Sequence, residues 1–441
     1  MNADAPPRSL PATLGTFLRP RPLGAFMLGI SSGFPLVLLL STMSYWLSKV
    51  GIDKKTIGFA FALGTPYTLK FLWAPFIDGV AIPGLARLVG QRRAWLYVVQ
   101  LPLAFAVVQL GGSDPLHHIG RFAFWGVVTA FLSATQDIVI DAYRIETLSE
   151  EEFAQGTAAN QVGYRIGNLL AGAGTVWFAS SEGLGLGWPS AYGLSALLVI
   201  PGALASLWLG PGKRTAAEEG FTFRAFGGFV RHNVVAPFVD FLGRPGALLI
   251  LLLVLLYKIG DAIGQNMLSP MIVAQGFSDT AYIAINKLVS FWCLLAGSLI
   301  AGSLVARLGI VRLLVGAGVM MMCANLLFAL VAATGHDTRL LALAVGTEML
   351  FSGISLTVFA IYLSGLSSTA FTATQYALLS SVAAIGRTFA TTPSGYLAAW
   401  LGWPKFYVAC SLLGLPGILL VLLLWRRGFV VETARQRGAD G

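Results

Sequence analysis

The chain has 441 residues, of which 56% are apolar and 11% charged, and its mean hydropathy is +0.75. A soluble globular protein is about a quarter charged, so too little of this chain is fit to face water, and lipid must be its solvent. The net charge of +9 sits largely at the edges of apolar runs, which is a topology signal and excludes a nucleic-acid footprint.

At about 20 residues per spanning helix, a chain of this size has room for about a dozen spans. Residues 1–22 carry five prolines and read as a cytoplasmic tail. The apolar run 23–47 is too long for a signal-peptide core and is expected to be a retained first span. Apolar length and Gly, Pro and charge punctuation then place spans at 57–76, 94–111, 122–145, 154–179 and 188–210. Residues 211–245 form a basic linker with Lys213, Arg214, Arg224, Arg231 and Arg244. Further spans follow at 246–274, 281–305, 311–333, 339–363, 371–398 and 404–425, and 426–441 is a charged tail. The expected fold is an all-α polytopic membrane protein with a six-helix bundle at 23–210 and another at 246–425.

With both termini cytoplasmic, the tails, loops and span edges on that side hold 18 Lys and Arg against 6 outside. Lys49, Lys54 and Lys55 in the first outer loop run against this bias. The halves also echo each other: Gln155 and Val162 in the fifth span match Gln375 and Val382 in the eleventh at a constant offset of 220. Paired six-helix bundles joined by a long cytoplasmic loop are the arrangement of major facilitator transporters. Cys293, Cys323 and Cys410 lie in apolar stretches and form no extracellular disulfide framework, while the four histidines lie in connections. Neither a metal site nor a cofactor site is expected.

A charge at the centre of a span costs about 2.5 to 3.5 kcal/mol on insertion scales, so each one needs a reason. Nine qualify here: Lys70, Asp137, Asp141, Arg165, Lys258, Asp261, Lys287, Glu348 and Arg387. Any one of them is compatible with a structural ion pair, but the set points to a polar pathway. Helical spacing puts Gln161, Arg165 and Asn168 on one face of the fifth span. Lys258, Asp261 and Gln265 do the same in the seventh, and Glu348, Ser352 and Ser355 in the tenth. Asp137, Asp141 and Arg144 share a face in the fourth, with Asp141 and Arg144 placed at the cytoplasmic mouth, where a gate or snorkelling accounts for them. The spacing Gly163, Gly167, Ala171 reads as a close-packing seam.

Several strings resemble one family, the AmpG-type anhydromuropeptide permeases of the major facilitator superfamily. They are Phe71-Leu-Trp-Ala-Pro-Phe-Ile-Asp78, Gly90-Gln-Arg-Arg-Ala-Trp95, Thr135-Gln-Asp-Ile-Val-Ile-Asp-Ala-Tyr-Arg144, Gly163-Tyr-Arg-Ile-Gly167, Leu256-Tyr-Lys-Ile-Gly-Asp-Ala262 and Ala373-Thr-Gln-Tyr-Ala-Leu-Leu-Ser-Ser381. The chain departs from the family at Thr347-Glu-Met349, where Phe-Glu-Asn is usual, and at Thr135, where Ser is usual. The resemblance implies a major facilitator fold of 12 spans in the inner membrane of a Gram-negative bacterium. It implies import of N-acetylglucosaminyl-1,6-anhydro-N-acetylmuramyl peptides from periplasm to cytoplasm for cell-wall recycling, by proton symport and alternating access.

Such a cargo needs fixed positive charge for its carboxylates, polar partners for its hydroxyls and aromatic faces for its sugars. Arg165 and Lys258 would supply the charge, with Lys70 and Arg387 as further cations. Gln136, Gln161, Asn168, Gln265 and Asn266 would serve the hydroxyls. Tyr45, Tyr164 or Tyr257 would stack on sugar, although anchoring or packing also explains each. Asp137, Asp261 and Glu348 are the proton-coupling candidates, and Asp78, Arg92, Asp141 and Arg144 the gate candidates. The expected partners are the anhydromuropeptide, protons and the bilayer, with a monomer as the unit and no nucleic acid. Two alternatives stand beside this reading. One is a carrier of acetyl-CoA or another organic anion from the same superfamily. The other is an intramembrane prenyltransferase holding Mg²⁺ on Asp137-x-x-x-Asp141, which lacks a second acidic motif.

Overall fold

The computed structural model describes residues 15–52, 61–181, 183–212, 235–277, 284–368, 371–391 and 393–429. The expected tails, the linker at 213–234, and Lys54 and Lys55 lie wholly or largely outside these residues, as do the side chains of Lys287 and Arg387.

Eight of the twelve expected spans are helical runs long and apolar enough to cross a membrane. They are α1 (Pro20–Leu47), α3 (Gln91–Gly111), α4 (Ile119–Thr147), α6 (Gly187–Leu209), α7 (Ala247–Ile272), α9 (Ile310–Thr334), α10 (Thr338–Leu366) and α12 (Trp403–Arg426). The other four fall short of that length or hydropathy, and each is interrupted. In the second, α2, short turns run Phe61–Gly64, Thr65–Leu69 and Lys70–Leu72 before Ala74–Gly79. In the fifth, α5, Phe153–Leu169 passes through a π-helical turn at Leu170–Gly174 into Thr175–Ala179. The eighth, α8, opens with a π turn at Ala284–Val289 before Ser290–Leu308. The eleventh, α11, is split into Thr372–Thr391 and Ser394–Leu401 around Pro393. Proline ends or bends a helix because it lacks the donor and clashes with the preceding turn. π turns add a residue to the ladder and recur at functional sites.

The described residues divide into two compact units: Leu14–Phe238 with Ser367–Ser381, and Val239–Leu366 with the residues from Val382 on. The first half of α11 therefore packs with α1 to α6. Its Ala373 and Ala377 join Leu28, Ile77, Ile138 and Ala142 in one buried apolar cluster. A second cluster of this unit gathers Phe34, Leu38, Trp46, Leu103, Phe122 and Tyr192, with Trp46 stacked on Trp188 at 5.2 Å. The core of the other unit is built from Ile263, Phe328, Leu341, Val345, Phe406 and Tyr407.

The seam read in α5 is a direct backbone contact with α1. A β-carbon on Gly163 would lie 2.0 Å from the Phe26 carbonyl oxygen, and one on Gly167 would lie 2.3 Å from that of Ile30. Gly29 and Gly33 of α1 answer in kind against the carbonyls of Asn160 and Tyr164. With no hydrophobic drive between helices in lipid, such close approach supplies the dispersion contact that holds them together. At about 100° per residue, Gly163 and Gly167 lie on the opposite face of α5 from Gln161, Arg165 and Asn168. The seam thus fixes which way the polar stripe points.

Candidate functional site

In the first unit the buried charges form two networks that both draw on α4. In the first, Lys70 pairs with Asp137, and Ser32 Oγ donates to the same carboxylate at 2.7 Å. Lys70 Nζ is also 3.9 Å from Asp141, which lies 3.5 Å from Arg144. Arg144 donates to the Thr157 hydroxyl at 2.8 Å and lies over the Tyr376 ring. Two cations therefore face two carboxylates. Arg144 is only 1% exposed, so snorkelling to water does not account for it. Gln136 donates to the Ser31 carbonyl at 2.6 Å and ties α4 to α1.

The second network lies at the end of α2. Arg92 donates to Asp78 at 2.7 Å, to Glu146 at 2.7 and 2.9 Å, and to the Ile77 carbonyl at 3.1 Å. Asp78 in turn accepts from the Thr374 backbone N–H at 2.8 Å, the Thr374 hydroxyl at 2.7 Å and the Ala373 N–H at 3.3 Å. A buried carboxylate thereby caps the positive end of α11. All three charged side chains are almost completely buried.

The α5 stripe carries Gln161, Arg165 and Asn168, all partly exposed, with the Arg165 guanidinium 5.8 Å from the Tyr164 ring centroid. Tyr45 is 42% exposed, packs against Trp188 and lines a cavity of about 540 Å³ with Ser41, Thr42, Trp177 and Ser180. The π turns of α1 and α5 meet beside this cavity, where Thr42 donates to the Ala171 carbonyl at 2.9 Å.

In the second unit, α7 breaks at Lys258, which caps the inner segment Ile259–Asn266 and leaves Asp261 in its first turn. Lys258 Nζ lies 3.3 Å from Asp261 and 3.5 Å from the Ser352 hydroxyl of α10. Lys258, Asp261 and Gln265 line a cavity of about 420 Å³ with Ser352, Leu356, Ala384 and Thr391. Glu348 lies buried beside this group, within hydrogen-bonding reach of Asp261 and Gln265, with neither oxygen making a well-aligned bond. Asn266 spends its amide on the Ser394 hydroxyl at 2.8 Å and the Thr391 carbonyl at 3.4 Å, across the break in α11. Tyr257 is buried, stacks on Phe359 and donates to the Leu314 carbonyl at 2.7 Å. Packing is its role here.

Ser32, Thr157, Glu146 and Thr374 are the partners that sequence reading did not single out. Glu146 had a signal, since it follows Arg144 by two residues at the end of a long span. Thr374 stood in the Ala373–Ser381 string without being assigned a role, and Ser32 and Thr157 had no signal beyond being hydroxyls in apolar runs.

Broken, polar-lined helices carrying internally paired charge, in two compact helical units, define a membrane transporter rather than an enzyme scaffold. The chain matches the Major Facilitator Superfamily profile over residues 23–389. It is 35% identical over 411 residues to the anhydromuropeptide permease of Escherichia coli K12, covering 93% of this chain and 81% of that one. It is 29% identical over 399 residues to a putative AmpG transporter of Rickettsia conorii, covering 90% and 95%. Among solved structures, the proton:xylose symporter XylE with a bound bromodeoxyglucose matches 94% of this chain and 96% of its own at TM-score 0.67 and 16% identity. The human organic anion transporter MFSD10 matches at TM-score 0.63, also at 16% identity, over 94% of this chain and all of its own. These two share the fold. The chain belongs to the Major Facilitator Superfamily and, within it, to the family of the anhydromuropeptide permeases.

Proposed function

We propose that this multi-pass transporter imports N-acetylglucosaminyl-1,6-anhydro-N-acetylmuramyl peptides across the inner membrane of a Gram-negative bacterium, as a monomer with both termini in the cytoplasm. The observation that carries the reading is the 35% identity to a permease of that name along 93% of the chain. The side chains support it. The peptide portion of the cargo brings carboxylates, which Lys258 and Arg165 meet with positive charge in partly open, polar surroundings. The disaccharide brings hydroxyls and flat sugar faces, suited to Gln161, Asn168, Gln265, Tyr45 and Tyr164.

Import is driven by co-transported protons, and the two bundles, 23–210 and 246–425, rock about the site in alternating access. Asp137, Asp261 and Glu348 are the carboxylates available for coupling. The buried Asp78–Arg92–Glu146 and Asp141–Arg144 networks act as the cytoplasmic gate. The test is uptake of labelled anhydromuropeptide into proteoliposomes with and without an inward proton gradient. Gradient-dependent accumulation is expected, together with weak competition by acetyl-CoA. Accumulation that acetyl-CoA blocks, or its absence with folded protein, would overturn the assignment.

A further inference from the structure

Three buried carboxylates are available for proton coupling, and their surroundings differ. Asp137 accepts from Lys70 and from Ser32. Asp261 has Lys258 at 3.3 Å on one oxygen, while its buried Oδ1 has no hydrogen bond. Glu348 is 1% exposed and lies within hydrogen-bonding reach of Asp261 and Gln265, with neither oxygen making a well-aligned bond. Its helix neighbours Leu341, Ala344 and Val345 form an apolar cluster with Phe328, Tyr407 and Cys410.

The groups that act on Glu348 are Lys258, Asp261 and Gln265 of α7, with Tyr407 of α12 also within electrostatic reach. Cys293 of α8 stands against Gly346, two residues away on the same helix. Among the described side chains, this group holds one cation and two carboxylates, whereas Lys70 and Arg144 balance Asp137 and Asp141 two for two. Lys258 already serves Asp261. An ionised Glu348 would be a second negative charge sharing the one cation, Lys258, with Asp261, which a span tolerates poorly. As a neutral carboxylic acid, it leaves the group at zero net charge.

We propose that Glu348 is the residue that binds and releases the transported proton, and that the Lys258–Asp261 pair links it to the substrate. This rests on the proton-symport reading above. A substrate carboxylate entering the α7 cavity competes with Asp261 for Lys258. Asp261, deprived of its counter-ion, then stabilises the proton held on Glu348, so anion and proton are bound together. When the substrate leaves, Lys258 returns to Asp261 and the proton departs from Glu348 by way of the Asp261 Oδ1 and the polar cavity. By linkage, the substrate raises proton affinity by the factor that the proton raises substrate affinity.

The test compares wild type, Glu348→Gln and Asp137→Asn in proteoliposomes, measuring counterflow exchange of labelled anhydromuropeptide and gradient-driven accumulation. Glu348→Gln is expected to lose accumulation at least tenfold while exchange persists and ceases to vary with pH. Asp137→Asn is expected to lower both activities together, with the pH dependence of exchange retained. Uphill accumulation by Glu348→Gln, or a wild-type pH profile of its exchange, overturns the proposal. If Glu348→Gln does not fold, infrared spectra of the wild type with isotope-labelled glutamate decide. A protonated carboxyl band that shifts with the label at neutral pH supports the proposal, and its absence overturns it. Wild-type protein that shows no gradient-driven accumulation would instead refute the symport reading, and the infrared band would still report on Glu348.

Discussion

Asp78 and Thr374 meet at the start of α11, where the carboxylate Oδ2 accepts both the Thr374 backbone N–H at 2.8 Å and its hydroxyl at 2.7 Å. The same carboxylate holds Arg92, so one buried aspartate ties a loop-end arginine to a helix terminus 296 residues further on. Charge-assisted bonds of this kind are strong because no water competes for them.

Asp78→Ala strands Arg92 with Glu146 alone and leaves the α11 amides uncapped. Removing one partner of a buried pair typically costs about 3 to 5 kcal/mol. The variant is expected to lower the unfolding temperature in detergent and to cut uptake at least tenfold. Thr374→Val removes one hydroxyl donor and keeps the amide, so its effect should be a fraction of this, near 1 kcal/mol. Thermal unfolding followed by size-exclusion chromatography measures both.

The Lys70–Asp137 contact gives a double-mutant cycle. Lys70→Met leaves Asp137 and Asp141 facing Arg144 as the remaining cation of their group, and should destabilise by about 3 to 5 kcal/mol. Adding Asp137→Asn removes the unpaired charge and should recover most of that loss. Equal instability of the single and double variants would show that the pair is not coupled.

Gly163→Ala places a methyl group 2.0 Å from the Phe26 carbonyl oxygen, a backbone atom that no side-chain rotation can move aside. It is expected to prevent stable folding or to force α1 and α5 apart, read as loss of monodisperse protein. Gly174→Ala, in the π turn of α5 where a β-carbon meets nothing within 4 Å, should express like the parent.

In the loop before α4, Asp114 accepts from His117 Nδ1 at 2.5 Å and from the Leu116 N–H at 2.9 Å. Its hydrogen bond with His117 is the main cause holding its carboxyl below the ordinary value of 3.8, followed by that from Leu116. A depressed folded-state value means a contribution present above 3.8 and lost as pH falls through the lower, folded value. Asp114→Ala should therefore lower stability slightly at neutral pH, leave it unchanged in acid below the folded value, and flatten the acid limb of a stability-against-pH curve. The loop is solvent-exposed, so the effect is small and screened by salt.

Much was legible from residue order alone. Apolar length marked the spans, and helical period grouped Lys258, Asp261 and Gln265, which do line one cavity. It also set Gln161, Arg165 and Asn168 apart from the glycine seam of α5. These are local properties, decided within a few turns of one helix by a fixed repeat and by the cost of charge in lipid. What no local period carries is which faces meet. Arg92 reaches Glu146 across 54 residues, Ser32 reaches Asp137 across 105, and Tyr257 turns its ring into packing against Phe359 instead of a cavity. The difference between Asp137, satisfied by Lys70 and Ser32, and Glu348, which shares its one cation with Asp261, arises from the packing of helices far apart in the chain. Sequence marked both as costly, and only the tertiary structure distinguished them, because the cost of a buried charge is set by the atoms that surround it.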